Sequence, residues 1–166
     1  MDKKKRKYQN TLIIAGRGII LFGVWNILKF LMMYFFAGDM LTDTIVAYTP
    51  EIETEFIRNV VSIAFIVIAL IYIAFDFLLR VYVGRCAKAA GRGEKTKKTY
   101  IVIASLMLVI SLVSDIFGLF SITEGISVTD TIVSIVVDLT SCYILADLIW
   151  ASVRLIQIEK GENNAG

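Results

Sequence analysis

The sequence contains no histidine and only one proline in 166 residues. Without histidine there is no imidazole to serve as a general base or metal ligand, and the two cysteines, Cys86 and Cys142, lack the spacing of a metal site. No glycine-rich phosphate-binding loop is present either. We therefore expect a protein that is not an enzyme and that holds no metal or other cofactor.

Polar residues are also scarce. The chain is 57% hydrophobic and has a mean hydropathy of +0.74, whereas about 45–50% apolar residues is usual for a soluble domain. Such a composition is typical of a protein whose solvent is lipid. Hydrocarbon requires backbone hydrogen bonds to be satisfied within each segment, so the rarity of proline favours an all-α fold.

Four apolar stretches reach the length of roughly 20 residues that a membrane-spanning helix needs. They cover residues 18–37, 60–79, 100–120 and 131–150. We predict a four-helix transmembrane bundle that forms one integral membrane domain over residues 1–166. The first stretch is too long for the apolar part of a signal peptide and no clear cleavage site follows it, so we expect it to be retained.

Basic residues mark the side of the membrane on which each connection lies. Lysine and arginine concentrate in segments 1–17, 80–99 and 151–166, whereas the other two connections contain only Arg58. Positive charge near the membrane favours the cytoplasmic side, so we predict that both termini are cytoplasmic in a cell membrane. The basic segments would face anionic lipid. Nothing else supports nucleic-acid binding, and we expect none.

Two short sequences occur twice in the same order. AGRG occupies residues 15–18 and 90–93, and TDTIV occupies residues 42–46 and 129–133. Two parallel helical-hairpin repeats would produce this order, although the unequal spacing leaves the duplication open. Parallel repeats lack the inverted symmetry on which many transporters are built.

Charged residues inside spans are costly, so each is a functional hypothesis. The predicted inner charge layer comprises Asp76, Arg80, Asp147, Arg154 and Arg17. Asp76 precedes Arg80 by four residues, which places the two on one helix face and predicts an ion pair. Arg154 lies seven residues after Asp147 on the same face, and Arg17 of the first helix is an alternative partner for that acid.

A second group lies in the middle and outer part of the membrane. This candidate ion or proton site comprises Asp138, Asp115, Lys29, Asn26, Ser134 and Ser141. Lys29 is the only lysine within a span, so we expect it to pair with Asp115 or Asp138. A polar stripe of this kind either carries ions or holds helices together, and the sequence leaves both interpretations open.

The fourth helix is expected to be polar on two sides. Ser141 and Ser152 fall on one side, and Asp147 and Trp150 fall near the opposite side. We therefore expect this helix either at the centre of the bundle or at an oligomer interface. No span contains Gly-x-x-x-Gly, so a close glycine-mediated dimer is not indicated. Trp150 and Tyr100 are predicted to anchor the membrane interface.

Two functional hypotheses follow. The first is a non-catalytic accessory, regulatory or assembly subunit whose charged layers fix its packing or dock a partner. The alternative is a small oligomeric transporter or channel, coupled to protons or cations through the intramembrane aspartates. Both predict a homo-oligomer or a membrane-protein partner within the lipid bilayer.

Overall fold

The computed structural model describes residues 3–47, 55–120 and 128–164, and these residues form four helices. Helix α1 covers Lys3–Ala47, α2 covers Glu55–Gly91, α3 covers Thr99–Phe120 and α4 covers Val128–Asn164. Within these ranges there is no β-strand. The predicted all-α fold is confirmed.

Each helix contains a segment long and apolar enough to cross a membrane. These segments are Lys3–Met32, Ile66–Gly91, Thr99–Phe117 and Ile135–Gly161. The prediction of four apolar spanning helices is therefore confirmed by length and composition, and the chain is a candidate multi-pass membrane protein.

Three of the helices extend well beyond the predicted spans. α1 begins at Lys3 and continues past residue 37, and α2 runs to Gly91 through a segment that was expected to form a loop. The prediction located only the apolar part of each helix. Once a helix is formed, adding a residue costs little, so polar residues at both ends continue it.

The chain forms two compact units. Unit 1 comprises Met1–Phe22 and Arg80–Gly166, and unit 2 comprises Gly23–Leu79. α1 and α2 contribute to both units, whereas α3 and α4 belong to unit 1. The largest fully buried side chains all belong to unit 1, and they are Leu12, Ile19, Leu145, Leu148, Val83 and Ser152. In unit 2, the exposed side chains are largely apolar, as expected for contact with lipid.

In unit 1, α1 and α2 cross with their backbones in contact. A Cβ atom added to Gly84 would lie 2.5 Å from the carbonyl oxygen of Gly16, and one added to Gly16 would lie 2.7 Å from the carbonyl oxygen of Gly84. Seven residues further along α2, a Cβ atom on Gly91 would lie 2.6 Å from the carbonyl oxygen of Gln9. Only glycine permits such an approach, and the two helix segments run antiparallel.

α2 ends in a glycine cap. Gly93 has a φ of 81°, and its N–H donates to the carbonyl of Ala90 while the N–H of Glu94 donates to the carbonyl of Ala89, both at 3.0 Å. This pattern is a Schellman motif, in which the glycine adopts the left-handed conformation that reverses the chain. The basic link 92–98 follows and leads to α3.

α4 contacts the other three helices of unit 1. Gly18 of α1 lies against Ile144, the hydroxyl of Tyr100 of α3 donates to Ser152 Oγ at 3.0 Å, and Arg80 of α2 bonds to α4 as described below. Tyr100 is only 3% exposed. The prediction that Tyr100 anchors the membrane interface is therefore wrong, because its hydroxyl finds its partner on a neighbouring helix.

Candidate functional site

Arg80 is a buried cation in unit 1. Its side chain extends from α2 towards α4, where Nη1 donates a hydrogen bond of 3.0 Å to Ser141 Oγ. Arg80 is 5% exposed and Ser141 is 6% exposed. Removing a guanidinium from water is costly unless hydrogen bonds and opposite charges replace its hydration. The surroundings of Arg80 must therefore supply negative charge.

Two carboxylates lie near Cys142, the residue that follows Ser141. The Cys142 thiol, next to Ser141 in α4, donates to Asp115 Oδ2 of α3 across a distance of 3.9 Å. Asp115, Asp138 and Arg80 all interact electrostatically with this thiol. All three charged residues have interaction partners. We call Arg80, Asp115, Asp138, Ser141 and Cys142 the polar cluster.

The polar cluster joins three helices through unequal charges. Arg80 comes from α2, Asp115 from α3, and the other members from α4. One guanidinium faces two carboxylates, so the fully ionised cluster carries one excess negative charge. The arginine can hold the helices together, and the excess charge can attract a proton or a cation. In the part of the chain that the structure describes, no group of three or more His, Cys, Asp or Glu residues could hold a metal ion.

The members of the predicted ion or proton site do not all lie together in the structure. Asp115, Asp138 and Ser141 come together as expected, but with Arg80 of the predicted inner layer. Ser134 lies among the residues whose side chains are outside the described part of the structure. Whether these acids conduct ions stays a prediction.

Asn26 and Lys29, the remaining members of that site, belong to unit 2. Asn26 Nδ2 donates a hydrogen bond of 3.2 Å to Asp76 Oδ2, so α1 and α2 are also joined there through polar side chains. Lys29 is exposed on the same helix as Asn26 and has a partner of its own. The hydrogen bond thus links Asn26 to an acid that was predicted for the inner layer.

The remaining inner-layer residues lie in unit 1. The Arg154 guanidinium lies 5.5 Å from the centre of the Trp150 ring, and its Nη1 donates to Gln157 Oε1 at 3.2 Å. Arg17 is exposed on α1. Asp147 is partly exposed, and among the described residues none forms a hydrogen bond or an ion pair with it. The expected pairing of Asp147 with Arg154 or Arg17 is not formed there.

Two features of unit 1 were missed by sequence reasoning. The first is the contact of the Cys142 thiol with Asp115, which joins α4 to α3 and which no spacing within one helix indicates. The glycine crossing was also missed, although Gly84, Ala87 and Gly91 place small residues on one face of α2, which is a recognisable signal for close helix packing.

Comparison with known proteins gave no match. No protein-family model, curated protein or solved structure resembles the chain.

Proposed function

We propose that this chain is a non-catalytic accessory, regulatory or assembly subunit in the cell membrane, with both termini in the cytoplasm. The orientation follows from lysine and arginine. Because Gly91 packs against Gln9, the basic segment 3–7 and the basic link 92–98 approach the same end of unit 1. Positive charge at one end favours the cytoplasmic side and contact with anionic lipid. The pairs α1–α2 and α3–α4 would then be two hairpins that enter from that side, as parallel repeats require.

The observation that supports a structural role is the buried position of Arg80. Residues that conduct ions must be reachable by water or by the ion. Arg80 is 5% exposed and bonds to Ser141, next to the Cys142 thiol on which Asp115 and Asp138 also act. A fixed cation among the acids supplies their counter-charge and joins α2, α3 and α4. The acids are thereby explained as packing elements.

The alternative is a small oligomeric transporter or channel for protons or cations. It is favoured by the ratio of charges in the polar cluster, where two carboxylates face one arginine. Asp138 and Asp115 both lie in apolar segments, and intramembrane acids of this kind form proton relays in pumps and transporters. An oligomer would then be required to provide a water-accessible path.

A flux measurement separates the two proposals. Purified protein is reconstituted into liposomes, and proton and monovalent-cation flux is followed with fluorescent indicators. A packing role predicts the flux of protein-free vesicles. Flux that Asp138→Asn abolishes, and that Glu159→Gln leaves unchanged, would overturn the structural proposal in favour of transport. Glu159 is a suitable control because it is an exposed acid on the same helix.

A mass measurement tests the accessory role itself. Membranes that contain the chain at its natural level are dissolved into native-lipid particles, and the mass of the complex is determined. We expect a stoichiometric membrane-protein partner. A stable monomer in native lipid would refute the accessory role.

A further inference from the structure

One face of α4 carries a stripe of polar and aromatic side chains inside its apolar segment Ile135–Gly161. The α4 stripe consists of Tyr143, Asp147, Trp150 and Arg154, which are spaced four, three and four residues apart and so share one side of the helix. Tyr143 is 71% exposed and Trp150 is 52% exposed. The opposite side of α4 is buried and contains Ser141 and Ser152. The stripe therefore faces away from the other helices of unit 1.

Asp147 differs from three other aspartates of the apolar segments. Asp76, Asp115 and Asp138 all have interaction partners, whereas no described residue forms a hydrogen bond or an ion pair with Asp147. The flanking Arg154 is engaged with Trp150 and Gln157. Asp147 is thus the member of the stripe whose charge is not matched within the described part of the chain.

The hydrogen bonds of α4 indicate the depth of Asp147. Tyr100, the second residue of α3, bonds to Ser152, so Ser152 lies near the level at which the apolar segment of α3 begins. Asp147 precedes Ser152 by five residues in α4. At 1.5 Å per residue it therefore lies about 7.5 Å deeper in the bilayer. A carboxylate at this depth is costly when it faces acyl chains.

We propose that the α4 stripe docks a transmembrane helix of a different membrane protein, and that this helix presents a lysine or arginine opposite Asp147. The inference rests on the proposed accessory role and names its contact surface. A cation on the partner supplies the charge that Asp147 lacks. Tyr143 and Trp150, one turn to either side, provide aromatic faces against which the aliphatic part and the charge of such a side chain can pack.

A second copy paired through the same stripe does not meet this requirement. Copies of one membrane protein share one orientation, and a two-fold axis along the membrane normal brings identical residues together at one depth. Asp147 would then face Asp147, and the repulsion would be strong in a medium of low dielectric constant. Arg154 of the second copy would lie seven residues away, or about 10.5 Å along the helix, which is too far for an ion pair. Charge complementarity therefore favours a different protein.

The test compares the complex in native-lipid particles for the unchanged chain, Asp147→Asn and Glu159→Gln. Asp147→Asn removes the charge and keeps the shape. We expect it to reduce recovery of the partner at least about tenfold, while abundance and thermal stability of the chain itself are unchanged, because Asp147 has no partner within the described residues. Glu159→Gln should leave recovery unchanged. The partner should carry a lysine or arginine in a spanning segment. A charge swap tests this directly: Asp147→Lys in this chain, combined with replacement of the partner's lysine or arginine by aspartate, should restore binding.

The other outcomes overturn the inference in different ways. A partner that is recovered equally with Asp147→Asn would show that docking uses another face, and the accessory role would stand. A dimer of this chain that depends on Asp147 would replace the foreign helix with a second copy. A monomer without any partner would overturn both the docking surface and the accessory role.

Discussion

Replacement of Gly84 by alanine should force α1 and α2 apart. The added Cβ atom would lie 2.5 Å from the carbonyl oxygen of Gly16 and 2.6 Å from Cγ1 of Ile20. The isoleucine can rotate, but the backbone oxygen is held within its helix. Restoring the ordinary contact distance of 3.4 Å requires the helices to separate by about 0.9 Å. Overpacking of this kind costs about 1–3 kcal/mol, and the better helix propensity of alanine offsets about 1 kcal/mol of it.

The free energy of unfolding measures this effect. The protein is unfolded in mild detergent by titration with a denaturing detergent, and helix content is followed by circular dichroism. We expect Gly84→Ala to lose up to about 2 kcal/mol and Gly84→Leu to lose more. Gly161→Ala is the matched control, since Gly161 is also helical and a Cβ atom there meets nothing within 4 Å. If Gly84→Ala is as stable as Gly161→Ala, the backbone contact between α1 and α2 does not exist.

Three further predictions concern single hydrogen bonds and the glycine cap. Tyr100→Phe should lower the free energy of unfolding by about 1 kcal/mol, with a smaller loss in a Ser152→Ala background; equal losses in both would contradict the bond between these hydroxyls. Gly93→Ala should lower the free energy of unfolding by about 1–2 kcal/mol because Gly93 has a positive φ, and Gly93→Asn should lower it less. Equal stability of the unchanged protein and both variants would contradict the cap. Asn26→Leu should cost about 1–2 kcal/mol by removing a donor to Asp76, and the loss should shrink when Asp76→Asn is also present. The denaturant titration measures all of these changes.

The number of helices could be predicted from the sequence because each helix contains an apolar segment of sufficient length. Their ends could not. α2 continues to Gly91 because the backbone hydrogen bonds of a helix do not depend on hydropathy. It cannot continue further because the cap that follows needs a left-handed residue at Gly93. The GRG sequence at residues 91–93 contains this signal, because glycine is the usual residue at a left-handed helix cap.

The partners of the charged residues were harder to predict. Sequence spacing identifies neighbours on the same helix, and the Asp76–Arg80 ion pair that it suggests stays a prediction. The hydrogen bond to Ser141 depends on how α2 and α4 are shifted and rotated relative to each other, which no spacing within one helix can reveal. The small face of α2 formed by Gly84, Ala87 and Gly91 indicates a close helix contact, but no spacing within α2 identifies Gly16 of α1 as the partner.

The role of Arg80 as counter-charge for Asp115 and Asp138 is best tested by a double-mutant cycle with Asp138. Arg80→Met keeps most of the side-chain volume but removes the charge, and it should lower the free energy of unfolding by about 1–3 kcal/mol, because the bond to Ser141 is lost and the half-buried acids lose a counter-charge. Adding Asp138→Asn to Arg80→Met should recover part of that loss, although the same change alone destabilises the protein. If Arg80→Met costs less than about 1 kcal/mol, or if Asp138→Asn has the same effect with and without Arg80, the polar cluster does not hold α2, α3 and α4 together through charge.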